Sequence, residues 1–225
     1  QVRPSSLEPS NTVPTCNSSR LTANHLPPPR WIAWVSLPVS VMTTGSPQVW
    51  PSSALRNMNA MTLATINGAG RPSTRTVLLK GLDHEGLVFF SDTRSSKGQA
   101  LAASPHASAC FYWEPIEAQA RIDGRVVSLP RERVERDFTS RPRAGQVMIW
   151  ASSQSQPLAS PATLASQVAT TQNDYPDDVP VPPFWCGYCL VPDYIELWFG
   201  SRDRMHERVA YAKAPQGWHK TLLQP

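Results

Sequence analysis

No run of 18 apolar residues occurs in this chain of 225 residues, which removes helical membrane spans from the reading. The apolar stretch from Trp31 to Met42 is short, contains Pro38 and starts too far in for a secretory signal. Cysteine is scarce too: four, at positions 16, 110, 186 and 189, are too few and too scattered for a disulfide scaffold. Cys186 and Cys189 have the spacing of a redox or zinc pair, but a redox pair opens a helix and structural zinc needs a second pair of ligands. They sit in an aromatic, apolar run that reads as a strand, where residues three apart face opposite sides, so packing cysteines are expected. A Gly-rich phosphate loop is missing, and strands do not alternate with helices, which excludes a Rossmann-like sheet. Excess charge is missing where it would matter. The formal +4 is mostly carried by residues 1–57, with four Arg, one Glu and no Lys, while the remainder has 17 basic and 16 acidic residues. A balanced domain exerts no net pull on a nucleic-acid backbone, although a few cations can still bind phosphate locally.

What is present divides at about residue 58. Residues 1–57 hold nine Pro and ten Ser and no sustained period, a composition that offsets little chain entropy by burial. A poorly ordered or atypical extension is expected there, with Trp31, Trp34 and Trp50 available to pack on the domain or a partner. Asn17-Ser18-Ser19 matches a glycosylation acceptor, with nothing else pointing to secretion. Over the whole chain, 40% hydrophobic residues and eight Trp suffice for a core, and from Asn59 onward the texture changes. Strands are expected over 61–66, 72–79, 87–90, 107–113 and 119–129, two more flanking Pro192-Asp193, then 208–213 and 218–223. Helices are expected over 95–103, 130–139 and 161–171. Many short strands with a few inserted helices argue for a closed or nearly closed barrel.

Three stretches combine polar groups beyond the needs of packing. In Arg75-Thr76-Val77-Leu78-Leu79-Lys80, alternation puts Arg75 and Lys80 on opposite faces of an apolar strand, so they could serve two different anions or simply end in solvent. Trp150 to Gln156 offers amides and hydroxyls suited to the edge of a heterocycle, or to an ordinary loop. If the segment Arg204-Met205-His206-Glu207-Arg208 is extended, Arg204, His206 and Arg208 share one face near Trp198. That set suits an anionic aromatic ligand or a charged surface strand.

Taken together with Asn59-Ala60-Met61, Ser95-Ser96-Lys97-Gly98, Phe111-Tyr112-Trp113-Glu114-Pro115, Ser140-Arg141-Pro142-Arg143, Gln154-Ser155, Pro183-Phe184-Trp185 and the ending Leu223-Gln224-Pro225, these stretches resemble the pyridoxamine 5′-phosphate oxidase family over roughly residues 59–225. The resemblance implies a mainly β fold with inserted helices, the FMN-binding split β-barrel, over residues 58–225. It also implies a homodimer with FMN sites across the interface. It assigns FMN contacts to Arg75, Thr76, Val77, Leu78, Leu79, Lys80, Phe90, Ser91, Lys97, Gln119, Gln154, Ser155, Trp198 and Arg208. The phosphorylated pyridine substrate falls to Lys80, Arg141, Arg204, Met205 and His206, with Arg204 and His206 in the catalytic positions. The implied reaction is oxidation of pyridoxamine or pyridoxine 5′-phosphate to pyridoxal 5′-phosphate by O₂, giving H₂O₂.

The chain departs from that pattern around the substrate phosphate. Asp137 stands where a phosphate-binding Tyr is usual and would repel a dianion unless it turned away or paired with Arg141 or Arg143. Gly145 replaces a Ser, Ser96 an Arg and Cys186 a Gly. The family's Arg-x-x-Tyr lid motif and first amphipathic helix are not found upstream of Asn59. These departures leave two alternatives: a related oxidase of a non-phosphorylated ring, as in the phenazine-biosynthesis branch, or a non-catalytic FMN- or pyridoxal-phosphate-binding protein. Cytoplasm is the expected compartment, although an acid-poor, Arg-bearing extension also suits an organellar presequence.

Overall fold

Strand β1 (Ala60–Ile66) buries Met61, Leu63 and Thr65 and exposes Thr62, the period of two that places one side of a strand on a core. The computed structural model describes residues 58–82 and 85–225. The extension expected over 1–57 lies outside the described residues, as do Asp83 and His84. A tight turn stapled by the Asn67 side chain, whose Oδ1 accepts the amides of Ala69 and Arg71 at 3.0 Å each, joins β1 to β2 (Pro72–Leu78). Strands β3 (Gly81–Leu82), β4 (Leu87–Asp92), β5 (His106–Trp113), β6 (Ala118–Ser128), β7 (Trp185–Phe199), β8 (Glu207–Ala214) and β9 (Gly217–Leu223) complete the set. All pairings are antiparallel, in the order β2-β1-β5-β6-β7-β4-β3, with β8 on β7 and β9 on β8.

That order forces closure. β2 and β3 stand at opposite ends of the path, yet only Leu79 and Lys80 separate them in sequence. The sheet therefore curls until its ends meet, giving the split β-barrel. Its interior holds Leu63, Phe89, Phe111, Ile122, Tyr188 and Ile195, all nearly solvent-free. A second apolar cluster, with Val88, Val134, Phe138, Val147 and Trp185, lies between the outer side of the sheet and the helices. The helices are α1 (Ser96–Ala103), whose Leu101 joins the interior cluster, and α2 (Arg131–Thr139), α3 (Arg143–Ala151) and α4 (Pro161–Asp174), which contribute to the second. Cys186 packs against the first cluster and Cys189 within the second, the opposite-sided placement expected of a strand.

Three local expectations are corrected. The two strands expected around Pro192-Asp193 are one, β7, which passes the proline by a register shift between Asp123 and Gly124 of β6. A bulge tolerates a residue without an amide proton, and a Cβ at Gly124 would lie 2.1 Å from the Val191 carbonyl oxygen, so the partner strand has no side chain there. Helix α3 was not expected: its Val147-Met148-Ile149-Trp150 run is rich in strand formers, but Pro142 begins a helix whose Val147 and Ala151 are buried. Finally, residues 200–206 are not extended. They form a loop in which Arg204 adopts a left-handed φ of 62°, so Arg204, His206 and Arg208 do not share a strand face.

Candidate active site

Helix α1 begins hard against the end of β4. Ser95 caps it, its Oγ accepting from the Gly98 amide at 3.2 Å and donating to the Asp92 carbonyl at 2.7 Å. Gly98 permits the approach, since a Cβ there would meet the backbone oxygens of Thr93 and Asp92 at 2.4 and 2.6 Å. The expected result for Gly98→Ala is a loss of about 2–3 kcal/mol in urea unfolding, as overpacking against backbone cannot relax cheaply; an unchanged midpoint would show that α1 is free to move.

This start places Lys97, whose Nζ donates to Ser91 Oγ at 3.0 Å and to Gln154 Oε1 at 2.8 Å, while Ser91 donates to the same amide oxygen at 3.1 Å. Arg75, on the inward face of β2, donates to the Leu63 carbonyl (3.1 Å), Thr65 Oγ1 (2.8 Å) and Ser73 Oγ (3.0 Å). Each of these partners is uncharged. The Lys97 ammonium is pushed below its ordinary range, first by burial and then by the Arg75 charge, against a weaker opposing pull from Asp92. Burial also lowers Arg75. Two cations close enough to repel, held by neutral oxygens, have the chemistry to accept an anion between them. Within the run from Arg75 to Lys80, Val77 and Leu79 pack on the barrel core, so they can offer a ligand only their main chain, whereas Thr76, Leu78 and Lys80 are exposed. Ser155, beside Gln154, takes a left-handed φ of 72°.

A second set lies at the other end of β7. Gln119, Trp198 and Arg208 stand in one cross-strand row of β6, β7 and β8. His206 tilts against Trp198 with ring centroids 4.9 Å apart, and its Nδ1 accepts from the Ser201 amide at 3.0 Å. That bond leaves the hydrogen of a neutral imidazole on Nε2, facing away as a donor. Arg208 is fixed by Glu196, whose Oε1 accepts from Nε at 2.9 Å and Nη2 at 2.7 Å, and by the Gln224 carbonyl at 3.0 Å. Arg121 approaches the other Glu196 oxygen at 3.3 Å. Glu196 is 4% exposed and was not anticipated from sequence; the signal was a carboxylate in an apolar strand, two residues before Trp198 and on its face. Met205 is largely exposed, held through its amide by Asp203.

The third set lies at the junction of α2 and α3. Arg141 lies 4.9 Å from the Trp185 ring centroid and 5.9 Å from that of Phe90. Its Nε and Nη2 both reach Asp137 Oδ2 at 2.8 Å. Of the two partners considered for Asp137, Arg141 is therefore the one it takes; Arg143 instead donates to the carbonyls of Tyr175 and Asp177. A Cβ at Gly81, at the start of β3, would lie 3.9 Å from the Arg133 guanidinium, one turn before Asp137, while Lys80 beside it is exposed.

The structure thus gathers Arg75, Ser91, Lys97 and Gln154, and separately Gln119, Trp198, His206 and Arg208. It does not gather them into one pocket. Ser91 pairs with Cys186 and Gln119 with Trp198, twelve residues apart on an unbroken β7, a contour of about 40 Å. No described helix is long and apolar enough to cross a membrane.

Comparison with known proteins gives two family matches. Residues 52–173 match the pyridoxamine 5′-phosphate oxidase model, and residues 185–225 match the pyridoxine 5′-phosphate oxidase C-terminal dimerisation region. A pyridoxine/pyridoxamine 5′-phosphate oxidase of Burkholderia multivorans is 45% identical over 177 residues, covering 77% of this chain and 83% of that one. One from Myxococcus xanthus is 44% identical over 168 residues, covering 74% and 82%. Among solved structures, PhzG from Burkholderia lata, in complex with tetrahydrophenazine-1-carboxylic acid, superposes with a TM-score of 0.73 at 31% identity, covering 77% of this chain and 85% of that one. A pyridoxamine 5′-phosphate oxidase-related, FMN-binding protein from Nostoc punctiforme has a TM-score of 0.64 at 20% identity, covering 77% and 91%, and supports the fold.

Proposed function

This chain belongs to the pyridoxamine 5′-phosphate oxidase family, and from that premise we propose that it oxidises pyridoxamine or pyridoxine 5′-phosphate to pyridoxal 5′-phosphate with O₂ as acceptor. Membership makes it an FMN-dependent oxidoreductase. The observation that carries the reading is the Arg75–Lys97 pair: two partly buried, mutually repelling cations on neutral partners fit the phosphate of a mononucleotide. Ser91 and Gln154 add a hydroxyl and an amide beside it.

FMN, when bound, supplies a hydride acceptor that O₂ can reoxidise, with release of H₂O₂. The residues of the chain supply placement. Arg75 and Lys97 hold the cofactor phosphate, and Gln119 and Arg208 offer donors to the polar edge of the ring system, with Trp198 packing beside it. Arg204 and His206 orient the substrate ring, His206 through the Nε2 hydrogen that the Ser201 contact leaves available. Lys80 and Arg141 meet the substrate phosphate. The substrate loses a hydride equivalent from its C4′ carbon; with the amine, water then hydrolyses the resulting imine to the aldehyde and ammonia.

The 40 Å contour between the two flavin-directed sets supports a site completed by a second copy, so that each cofactor draws one set from each subunit. The match of residues 185–225 to a dimerisation region supports the same homodimer.

A second reading, an oxidase of a non-phosphorylated ring, is favoured by the Asp137–Arg141 pair and by the likeness to PhzG. Protein reconstituted with FMN and given pyridoxamine 5′-phosphate under air, with aldehyde and H₂O₂ followed together, separates them. Equal formation of both products supports the first reading. An FMN-loaded protein that turns over only unphosphorylated rings moves the assignment to the second, and one with no turnover on either leaves a binding protein.

A further inference from the structure

We propose that Asp137 is a specificity-determining residue, an internal carboxylate that competes with the substrate's anionic group for Arg141 and sets the chain's discrimination against dianions. The inference rests on the reading of Arg141 as the substrate-anion residue. Three features of the fold support it.

First, the pair is built rather than incidental. Both Arg141 contacts to Asp137 are 2.8 Å, and the two side chains are only 23% and 17% exposed. The guanidinium also lies over the Trp185 ring, with the Phe90 ring farther off. Second, the helix does not favour the acid. Asp137 stands in the last turn of α2, where the macrodipole is negative and disfavours a carboxylate, so α2 itself offers this acid no electrostatic reward. Third, the surroundings otherwise suit an anion. Arg133 lies one turn before Asp137, and α3 begins at Arg143, two residues after Arg141, with its free amide end there. Space is open as well, since a Cβ at Gly145 would have nothing within 4 Å.

A phosphate arriving at Arg141 therefore meets a cation already engaged by a carboxylate. It must either share the guanidinium at the cost of repulsion between a dianion and Asp137, or displace the carboxylate and leave it partly buried and unpaired. Repulsion scales with the incoming charge, so a dianion is penalised more than a carboxylate and an uncharged ring is not penalised at all.

The test uses the FMN-loaded full chain and reads equilibrium binding, so that it does not depend on turnover. Pyridoxal 5′-phosphate and pyridoxal are titrated against wild type, Asp137→Asn and Arg141→Met by quenching of Trp fluorescence. Asp137→Asn is expected to bind pyridoxal 5′-phosphate roughly tenfold more tightly, while pyridoxal changes less than about twofold. Arg141→Met is expected to weaken the phosphorylated ligand and to abolish the gain from Asp137→Asn when the two are combined. Equal tightening of both ligands, or no gain for the phosphorylated one, overturns the inference while leaving the substrate reading intact. If no variant binds either ligand, the substrate reading falls and takes the inference with it. Asp137→Ser keeps the test available if the Asn variant does not fold, with the same expected discrimination.

Discussion

Replacing Lys97 by Met is expected to weaken FMN binding by roughly 10- to 100-fold while leaving the apo-protein no less stable, within about 1 kcal/mol. The two halves of this result have one cause. In the apo-protein Lys97 is held at a cost: burial and the neighbouring Arg75 both disfavour its charged form, and the compensating contacts to Ser91 and Gln154 are to neutral groups. Removing the ammonium relieves that repulsion, and Ser91 keeps its 3.1 Å bond to Gln154. A bound phosphate dianion reverses the balance, because it supplies the negative charge that the pair lacks. The ammonium then becomes a charge-assisted donor in a partly desolvated site. A merely structural lysine would show the opposite pattern, with lost stability and little change in cofactor affinity. Titration of apo-protein with FMN by flavin fluorescence, beside urea unfolding of the same apo samples, reads both. A large drop in unfolding free energy with unchanged affinity would remove Lys97 from the cofactor site.

The strands of this fold were largely legible in the sequence because one side of each faces a core. In β1 and β6 the alternation of the sequence translates directly into burial. Departures arose where tertiary packing overrode local preference. Helix α3 carries strand-forming residues, but its Val147 and Ala151 are buried and Pro142 sets its start. Pro192 read as a strand break because a proline removes a ladder hydrogen bond, yet a bulge opposite Gly124 absorbs it. Residues for a candidate site could be named from the sequence, but their arrangement could not. Alternation correctly put Arg75 and Lys80 on opposite faces, whereas the loop from Gly200 to His206 could not be seen, since a left-handed Arg204 has no sequence signature. Nor could the sequence show that Asp137 would meet Arg141 rather than Arg143, a choice made when Arg143 is drawn to the carbonyls beyond α4.

Glu196 was the principal omission, and its removal is the other change with a large expected effect. Glu196→Ala is expected to cost about 2–3 kcal/mol in unfolding free energy and to weaken FMN binding by roughly tenfold. Loss of one partner of a fully buried ion pair costs about 3–5 kcal/mol. The lower figure follows from the arginines, which are 45% exposed at Arg121 and 29% at Arg208 and so recover part of the loss through water. The cofactor effect follows from geometry. Two of the three guanidinium nitrogens of Arg208 are held by Glu196, and the third by the Gln224 carbonyl, so the carboxylate fixes the direction in which Arg208 faces the row of Trp198 and Gln119. The same contacts tie β8 to the C-terminal residues, within the region matched to dimerisation. The variant should accordingly dissociate into monomers at higher protein concentration than wild type. Glu196→Gln separates charge from shape, because it keeps an acceptor for Arg208 but cannot neutralise two guanidiniums. It should lose part of the stability, through the two uncompensated guanidiniums, and retain most of the cofactor affinity. Urea unfolding, FMN titration and sedimentation on the same preparations provide the check. If Glu196→Ala leaves FMN affinity and the monomer–dimer balance unchanged while lowering stability, Glu196 is only a buried strut and Arg208 does not depend on it for orientation.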